Sequence, residues 1–296
     1  YVFNYQREFR KHVIEYFLSE YASGSTPNPC MACNRELKFR ALLTRALALG
    51  YEYVATGHYA RIRKEGDSFQ LLRAVDSFKD QSYMLHMLGQ KELARLLFPI
   101  GIYTKEQVRS MALERGLASA ERPESQDICF VPGNDYRNLL REERPEALVP
   151  GPILDQQGLE LGQHQGLPLY TIGQRRGLHI AAGQPLYVMA LDPARNAVIV
   201  GPQQALEQMS LTATDTLFVS GSYPSAPFQA EVQIRAHATP MPAEITPLGA
   251  GRVAVQFARP QRAVTPGQSA VFYDGDIVLG GGRIISREMV NDRMVG

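Results

Sequence analysis

Apolar residues recur at helical spacing near the start of the chain. Phe9, Val13, Tyr16 and Phe17 share one face of a segment from about Arg7 to Glu20, which predicts an amphipathic helix. A second such pattern runs from Cys33 to Leu49, with Leu37, Leu43, Ala46 and Leu47 inward and Gly50 at the C′ position to stop it. The short apolar run Tyr53-Val54-Ala55-Thr56 then predicts a buried strand that delivers Gly57-His58 at its C-terminal edge. That edge is where open α/β sheets bind ligands. A hairpin follows, Ala60-Arg61-Ile62-Arg63 against Phe69-Gln70-Leu71-Leu72-Arg73, joined through Glu65-Gly66-Asp67. Thr104-Lys105-Glu106-Gln107 has the spacing of a capping box and predicts a helix to Arg115, ended by Gly116. Strand alternating with helix in this half predicts a doubly wound α/β sheet over residues 1–137.

Beyond residue 137 the texture changes. Pro145, Pro150, Gly151, Pro152, Gly158, Gly162, Gly166 and Pro168 crowd together and mark a small, loop-rich central module, 138–204. From about Ala205 the period becomes two: Ala230–Ala236 and Arg252–Phe257 alternate, and Asp274-Gly275 joins Ala270–Tyr273 to Asp276–Leu279 as a hairpin. An antiparallel β-barrel over 205–296 is the economical fold, because closure removes exposed edges. Gly280-Gly281-Gly282 lies between strand-like Ile277-Val278-Leu279 and Arg283-Ile284-Ile285, so it reads as a bulge rather than a phosphate cradle.

Composition narrows the classes. An apolar fraction of 45% is ample for well-formed cores. The apolar runs are too short to span a bilayer and no signal peptide opens the chain, so a soluble, cytoplasmic protein without a membrane partner is expected. A formal charge of +1 excludes a general polyanion binder; any RNA contact must come from local patches such as Arg175-Arg176, Arg61-Ile62-Arg63-Lys64, or Arg259 with Arg262.

The chain has only three cysteines, Cys30 and Cys33 in Thr26-Pro27-Asn28-Pro29-Cys30-Met31-Ala32-Cys33-Asn34 and Cys129 in Ser125-Gln126-Asp127-Ile128-Cys129-Phe130. Thiols confined to two polar contexts favour sulfur chemistry or a metal over structural cross-links. A turn ahead of a helix favours a thiolate, which makes Cys33 a candidate nucleophile. Cys30, Cys33, Cys129 and His58 also make a candidate zinc set, although the second CxxC or HxxxH of a structural zinc motif is missing. Cys129 reads equally well as a small buried hydrophobe, and Asp127 as a carboxylate that caps a loop or orients the thiol.

These strings, together with Ala55-Thr56-Gly57-His58-Tyr59-Ala60, Lys79-Asp80-Gln81-Ser82-Tyr83, Thr171-Ile172-Gly173-Gln174-Arg175-Arg176-Gly177-Leu178 and Pro266-Gly267-Gln268, resemble the tRNA-specific 2-thiouridylases in order and across almost the whole chain. The resemblance implies a partial PP-loop ATP pyrophosphatase domain, a central tRNA-binding module and a C-terminal β-barrel. It implies ATP-dependent, persulfide-based thiolation of a wobble uridine, with AMP and diphosphate released. ATP and Mg²⁺ are the implied cofactors and no tightly bound metal is expected. The partners are the tRNA and an upstream persulfide donor, a cysteine desulfurase or a sulfur relay protein. Cys33 matches the catalytic nucleophile, Cys129 the persulfide carrier and Gly57 an ATP contact. Asn28, Pro29 and Cys30 match positions beside the target base; Cys30 stands where some members have aspartate. His58, Lys79, Asp80, Gln81, Arg235, Ala236 and Gln268 match tRNA contacts, Ala236 only through its backbone.

The family's Ser-Gly-Gly-x-Asp-Ser loop, which cradles pyrophosphate, is not found, and neither is a Walker-type loop. The expectation is therefore a fragment truncated at its N-terminus, without a complete ATP site and inactive as given. Two alternatives stand beside sulfur transfer: a zinc-stabilised tRNA-binding module without chemistry, and a related ATP-dependent adenylating ligase, which offers no reason for separated thiols.

Overall fold

A computed structural model describes residues 1–118, 120–121, 128–131, 133 and 135–286. The expected role of Asp127 falls outside them. The first helical run passes from α1 (Gln6–Phe9) through a π-helical stretch, Arg10–Ile14, into α2 (Glu15–Ala22). Its buried face is Val13, Phe17, Leu18 and Tyr21, while Phe9 and Tyr16 are only half-buried. Phe17, Leu18 and Tyr21 pack into the central module against Leu140, Ile153, Leu169 and Val198. The N-terminal helix therefore serves that module's core.

The second helix begins earlier than its apolar pattern suggests. Asn28 caps it, Pro29 occupies the first helical position, and α3 runs Pro29–Cys33. A π-helical stretch, Asn34–Leu42, leads into α4 (Leu43–Ala48), which ends at Gly50 with φ +86. Phe39 and Leu43 are buried and Leu37 half-buried, but Leu47 is exposed, because the π-turns rotate the buried face away from α-helical spacing.

Strand β1 (Val54–Ala55) is shorter and more exposed than its apolar sequence suggests: Tyr53 is 50% exposed. After the hairpin of β2 (Ala60–Glu65) and β3 (Ser68–Arg73) comes α5 (Gln90–Leu93), then β4 (Leu96–Leu97), which pairs in parallel with β1. Helix α6 (Lys105–Glu114) carries the expected capping box, with Thr104 and Gln107 each accepting the other's backbone N–H.

Helix α7 (Tyr136–Glu143) opens the central module. Its sheet comprises β5 (Gly151–Leu154), β6 (Glu160–His164), β7 (Tyr187–Asp192) and β8 (Ala197–Gly201), in the order β6-β5-β8-β7. The barrel follows: β9 (Glu207–Phe218), β10 (Phe228–Gln233), β11 (Met241–Gly249), β12 (Arg252–Arg262), β13 (Ser269–Asp274) and β14 (Ile277–Ile285). The order β13-β10-β11-β12-β9-β14 closes through β13–β14 pairing. Gly280-Gly281-Gly282 allows that closure. A Cβ at Gly280 would lie 2.2 Å from the Leu217 carbonyl, and one at Gly282 2.4 Å from Thr216.

The β2–β3 hairpin does not belong to the α/β layer. It extends the barrel sheet, with Leu72 opposite Ile277 and Leu71 opposite Val278. Leu71, Tyr83, Leu85, Val271, Tyr273 and Val278 form one continuous core, so the α/β segment and the barrel are welded together.

Candidate active site

The cysteine-bearing helix is held from both ends. Asn28 Oδ1 accepts the N–H groups of Cys30 at 3.2 Å and Met31 at 3.3 Å, and its Nδ2 faces the Met84 sulfur at 3.4 Å. The side-chain amide of Asn28 is thus turned onto the helix and its packing. From the barrel, Pro266 accepts the Thr26 N–H at 2.9 Å and Gln268 Nε2 donates to the Thr26 carbonyl at 2.8 Å. Gly267, at φ +91, passes so close that a Cβ would lie 2.8 Å from Thr26 N. The Pro-Gly-Gln string is a clasp on the segment that feeds α3, and Gln268 spends its amide nitrogen there.

Cys30 is the second residue of the helix and Cys33 the last residue of α3. This corrects the picture of a turn preceding the helix. Cys33 lies a full turn inside, beyond the strongest part of the dipole. All three cysteines are free thiols, Cys30 and Cys129 exposed and Cys33 half-buried. Burial raises the pKa of both Cys30 and Cys33, and the charge of Cys129, almost a hundred residues away in sequence, acts in the same direction on each. Burial is the larger cause for each. The helix start therefore does not make either one a ready thiolate.

The opposing influence is Lys38, whose cation pulls both thiols back down. It stands five residues beyond Cys33 in the π-helical stretch, whose i→i+5 bonding brings such a residue back over the same face. Its Nζ lies 3.4 Å from His58 Nε2, and Thr56 Oγ1 lies 2.7 Å from His58 Nδ1. With a charged lysine donating to Nε2, the neutral ring carries its proton on Nδ1 and donates it to Thr56. Burial, and secondly Lys38, lowers the His58 pKa to about 4. The ring is buried and packed between Phe39 and Phe98. Both nitrogens are engaged inside the protein, one of them on Lys38. Sequence reading missed Lys38, because in Arg35-Glu36-Leu37-Lys38 a charge reads as solvated surface. Among the described residues no three His, Cys, Asp or Glu side chains form a group able to hold a metal. The zinc set Cys30, Cys33, Cys129 and His58 is thus not assembled.

Family models for a tRNA methyl transferase HUP domain, PRC-barrel domain and an aminomethyltransferase β-barrel domain match residues 1–133, 137–202 and 208–284. The chain is 69% identical over 302 residues to a tRNA-specific 2-thiouridylase MnmA of Roseiflexus sp. strain RS-1, covering 96% of this chain and 81% of that protein. A protein of the same name from Chloroflexus aggregans is 63% identical (98% and 81% covered), and one from Carboxydothermus hydrogenoformans 50% (97% and 79%). The chain belongs to the tRNA-specific 2-thiouridylase family.

The positions that match tRNA contacts in the 2-thiouridylases have varied surroundings. Asp80 accepts from the N–H groups of Ala74 and Ser82, the Ser82 hydroxyl and Arg73, so its carboxylate orders the loop. Gln81 exchanges hydrogen bonds with the Tyr59 backbone, with its own N–H to Tyr59 O and Oε1 accepting Tyr59 N–H. Lys79 is half-buried beside them. Arg235 Nη2 binds the carbonyls of Arg262 and Ala263, and the Ala236 carbonyl is taken by Gln233 Nε2. Gly57 sits exposed just past β1, where a Cβ would meet Ile100 at an ordinary 3.8 Å. Nothing about its conformation demands glycine. Arg175 and Arg176 are exposed on a turn pinned by Gln174, which accepts from Thr171 N–H and donates to the Arg176 carbonyl.

Proposed function

We propose that the protein is an ATP-dependent tRNA-uridine 2-sulfurtransferase that replaces the O2 oxygen of a wobble uridine with sulfur. The observation that supports this reading is that Cys129, distant in sequence, lies near enough to act electrostatically on the free thiols Cys30 and Cys33, on which Lys38 acts too, since sulfur transfer draws on two thiols from separate parts of the chain. The family's relatives bear the name of that activity.

ATP, as a substrate accompanied by Mg²⁺, converts O2 into a leaving group, with Gly57 at the mouth of β1 as the position beside it. Cys129 carries a persulfide, loaded by a cysteine desulfurase or a sulfur relay protein. Its terminal sulfur attacks C2, the C2–O bond breaks and AMP leaves, so that sulfur now bridges C2 and Cys129. The Cys33 thiolate then attacks the Cys129 sulfur. That S–S bond breaks, releasing 2-thiouridine and leaving a Cys33–Cys129 disulfide, which two electrons from a thiol reductant reopen. Lys38 stabilises the Cys33 thiolate for this attack. Asn28 and Pro29 hold the helix start in place, and Cys30 sits closest to the incoming base.

The three units, 1–137, 138–204 and 205–296, divide the work into chemistry, RNA grip and support. Lys79, Asp80, Gln81, Arg235, Ala236 and Gln268 lie along or behind the RNA path, with Lys79 and the backbone of 235–236 nearest to it. A cytoplasmic location goes with such substrates. The decisive experiment is mass spectrometry of tRNA from cells lacking the gene, complemented by wild type, Cys33→Ser or Cys129→Ser. 2-Thiouridine should return only with the wild type, and restoration by either serine variant would refute the assignment.

A further inference from the structure

The sulfur-transfer cycle gives Cys30 no step of its own, yet its placement beside Cys33 is specific. A single helical turn joins the two. The Asn34 N–H bonds the carbonyls of Cys30 and Met31, and Asn28 Oδ1 holds the Cys30 N–H at 3.2 Å. The residues between the thiols, Met31 and Ala32, are buried, and the Met31 sulfur takes the Ser269 hydroxyl of the barrel at 3.2 Å. With about 100° between successive residues, Cys30 and Cys33 share the face opposite that anchor. Cys30 is exposed there and Cys33 half-buried. Helical residues three apart have Cα atoms about 5 Å from each other, inside the range of about 4.4–6.8 Å that disulfides span, so a slight tightening of the turn closes a bond between them. Lys38 favours the ionised form of either thiol. A negative charge can therefore pass from one sulfur to the other within the field of one cation.

We propose that Cys30 is the resolving thiol of the cycle, which moves the disulfide off Cys129 and onto the Cys30–Cys33 turn. The inference rests on the functional reading above, which ends each turnover on a Cys33–Cys129 bond. Once the thiolated base has left, Cys30 gives up its proton and its thiolate attacks the Cys33 sulfur. The Cys33–Cys129 bond breaks, Cys129 departs as a thiolate and takes up a proton, and a Cys30–Cys33 bond remains, so the disulfide moves without net oxidation or reduction. A thiol held on the same turn meets that sulfur without the encounter a dissolved thiol needs. Cys129 is then free for the next persulfide before any reductant arrives. Two electrons from a thiol reductant, attacking at the exposed Cys30, afterwards reopen the Cys30–Cys33 bond.

The test is a quenched turnover of the enzyme expressed from its whole gene, loaded with persulfide by a cysteine desulfurase and free cysteine, desalted, and mixed with substrate tRNA and Mg-ATP without reductant. After acid quenching and alkylation of the free thiols, peptide mapping by mass spectrometry should show a Cys30–Cys33 disulfide and an alkylated Cys129 in the wild type. Cys30→Ser and Cys30→Asp should instead stop at a Cys33–Cys129 disulfide. Cys30→Asp keeps a polar group beside the base but no thiol, so it separates exchange from base contact. With glutathione as reductant, both variants should complete a first round of 2-thiouridine and then run roughly tenfold slower than the wild type, the slow phase rising when dithiothreitol is added. Wild-type enzyme that makes 2-thiouridine yet keeps a Cys33–Cys129 bond with Cys30 alkylated, or Cys30→Asp turning over at the wild-type rate under glutathione, would overturn the proposal. Loss of the first round in both variants would assign Cys30 to the transfer step and overturn it as well. A wild type that forms no 2-thiouridine would overturn the functional reading, and this inference with it.

Discussion

At the residue scale the decisive group is Lys38. A cation that offsets the cost of ionising Cys33 predicts that Lys38→Met slows iodoacetamide labelling of Cys33 and moves its pH dependence to higher pH, while Lys38→Arg largely preserves both. An unchanged profile in Lys38→Met would remove the lysine from the mechanism. The buried histidines give a second, global prediction. His58 and His86 are each lowered to about 4 by burial, so in the folded protein both stay neutral at pH values where the unfolded chain takes up protons. Stability should therefore fall as pH drops from about 6.5 toward 4, by a few kcal/mol in total. His58→Gln should flatten part of that slope in urea titrations. Asn28→Ala, which strips the cap from the cysteine helix, should cost about 1 kcal/mol, whereas Asn28→Asp should keep the cap.

At the element scale the clasp between Pro266-Gly267-Gln268 and Thr26 ties the barrel to α3. Gly267→Ala forces a side chain onto the Thr26 backbone at a left-handed φ, so it should destabilise the protein by roughly 1–3 kcal/mol. It should also slow oxidative formation of the Cys33–Cys129 disulfide, because the helix that carries Cys33 loses its register against the barrel. Gln268→Ala should show the second effect with little of the first. Equal disulfide rates in all three proteins would mean that the clasp does not set the position of the thiols. The π-helical stretch belongs to this scale as well: it carries Lys38, and it turns Leu47 outward, against the α-helical reading of the same residues.

At the scale of the whole molecule, charge decides how RNA is held. With a formal charge of +1, affinity must come from a few local contacts, and the exposed Arg175-Arg176 turn is the plainest of them. Arg175→Ala with Arg176→Ala should weaken all tRNAs about equally and lower the salt slope by about one to two. Filter binding over a salt series measures both. Unchanged affinity and slope would make the central module a structural spacer. The shared core of the β2–β3 hairpin and the barrel further predicts that the α/β segment and the barrel unfold in one transition.

Local pattern was enough to determine the elements that depend on neighbours in the chain. The Thr104–Gln107 capping box, the Gly66-Asp67 hairpin, the Asp274-Gly275 signal, the glycine bulge in β14 and the alternation of the barrel strands all follow from backbone preference and side-chain period. The strings around the three cysteines likewise pointed to sulfur chemistry, because thiols are few and chemically distinctive. Tertiary structure alone decided which distant groups meet. Sequence cannot say that the hairpin joins β14 rather than the α/β layer, that Lys38 reaches His58, or that Asn28 and Asp80 turn their polar atoms, and Gln268 its amide nitrogen, onto partners inside the protein. Each of these rests on non-local packing, in which a polar group leaving water binds whatever partner the fold puts within reach.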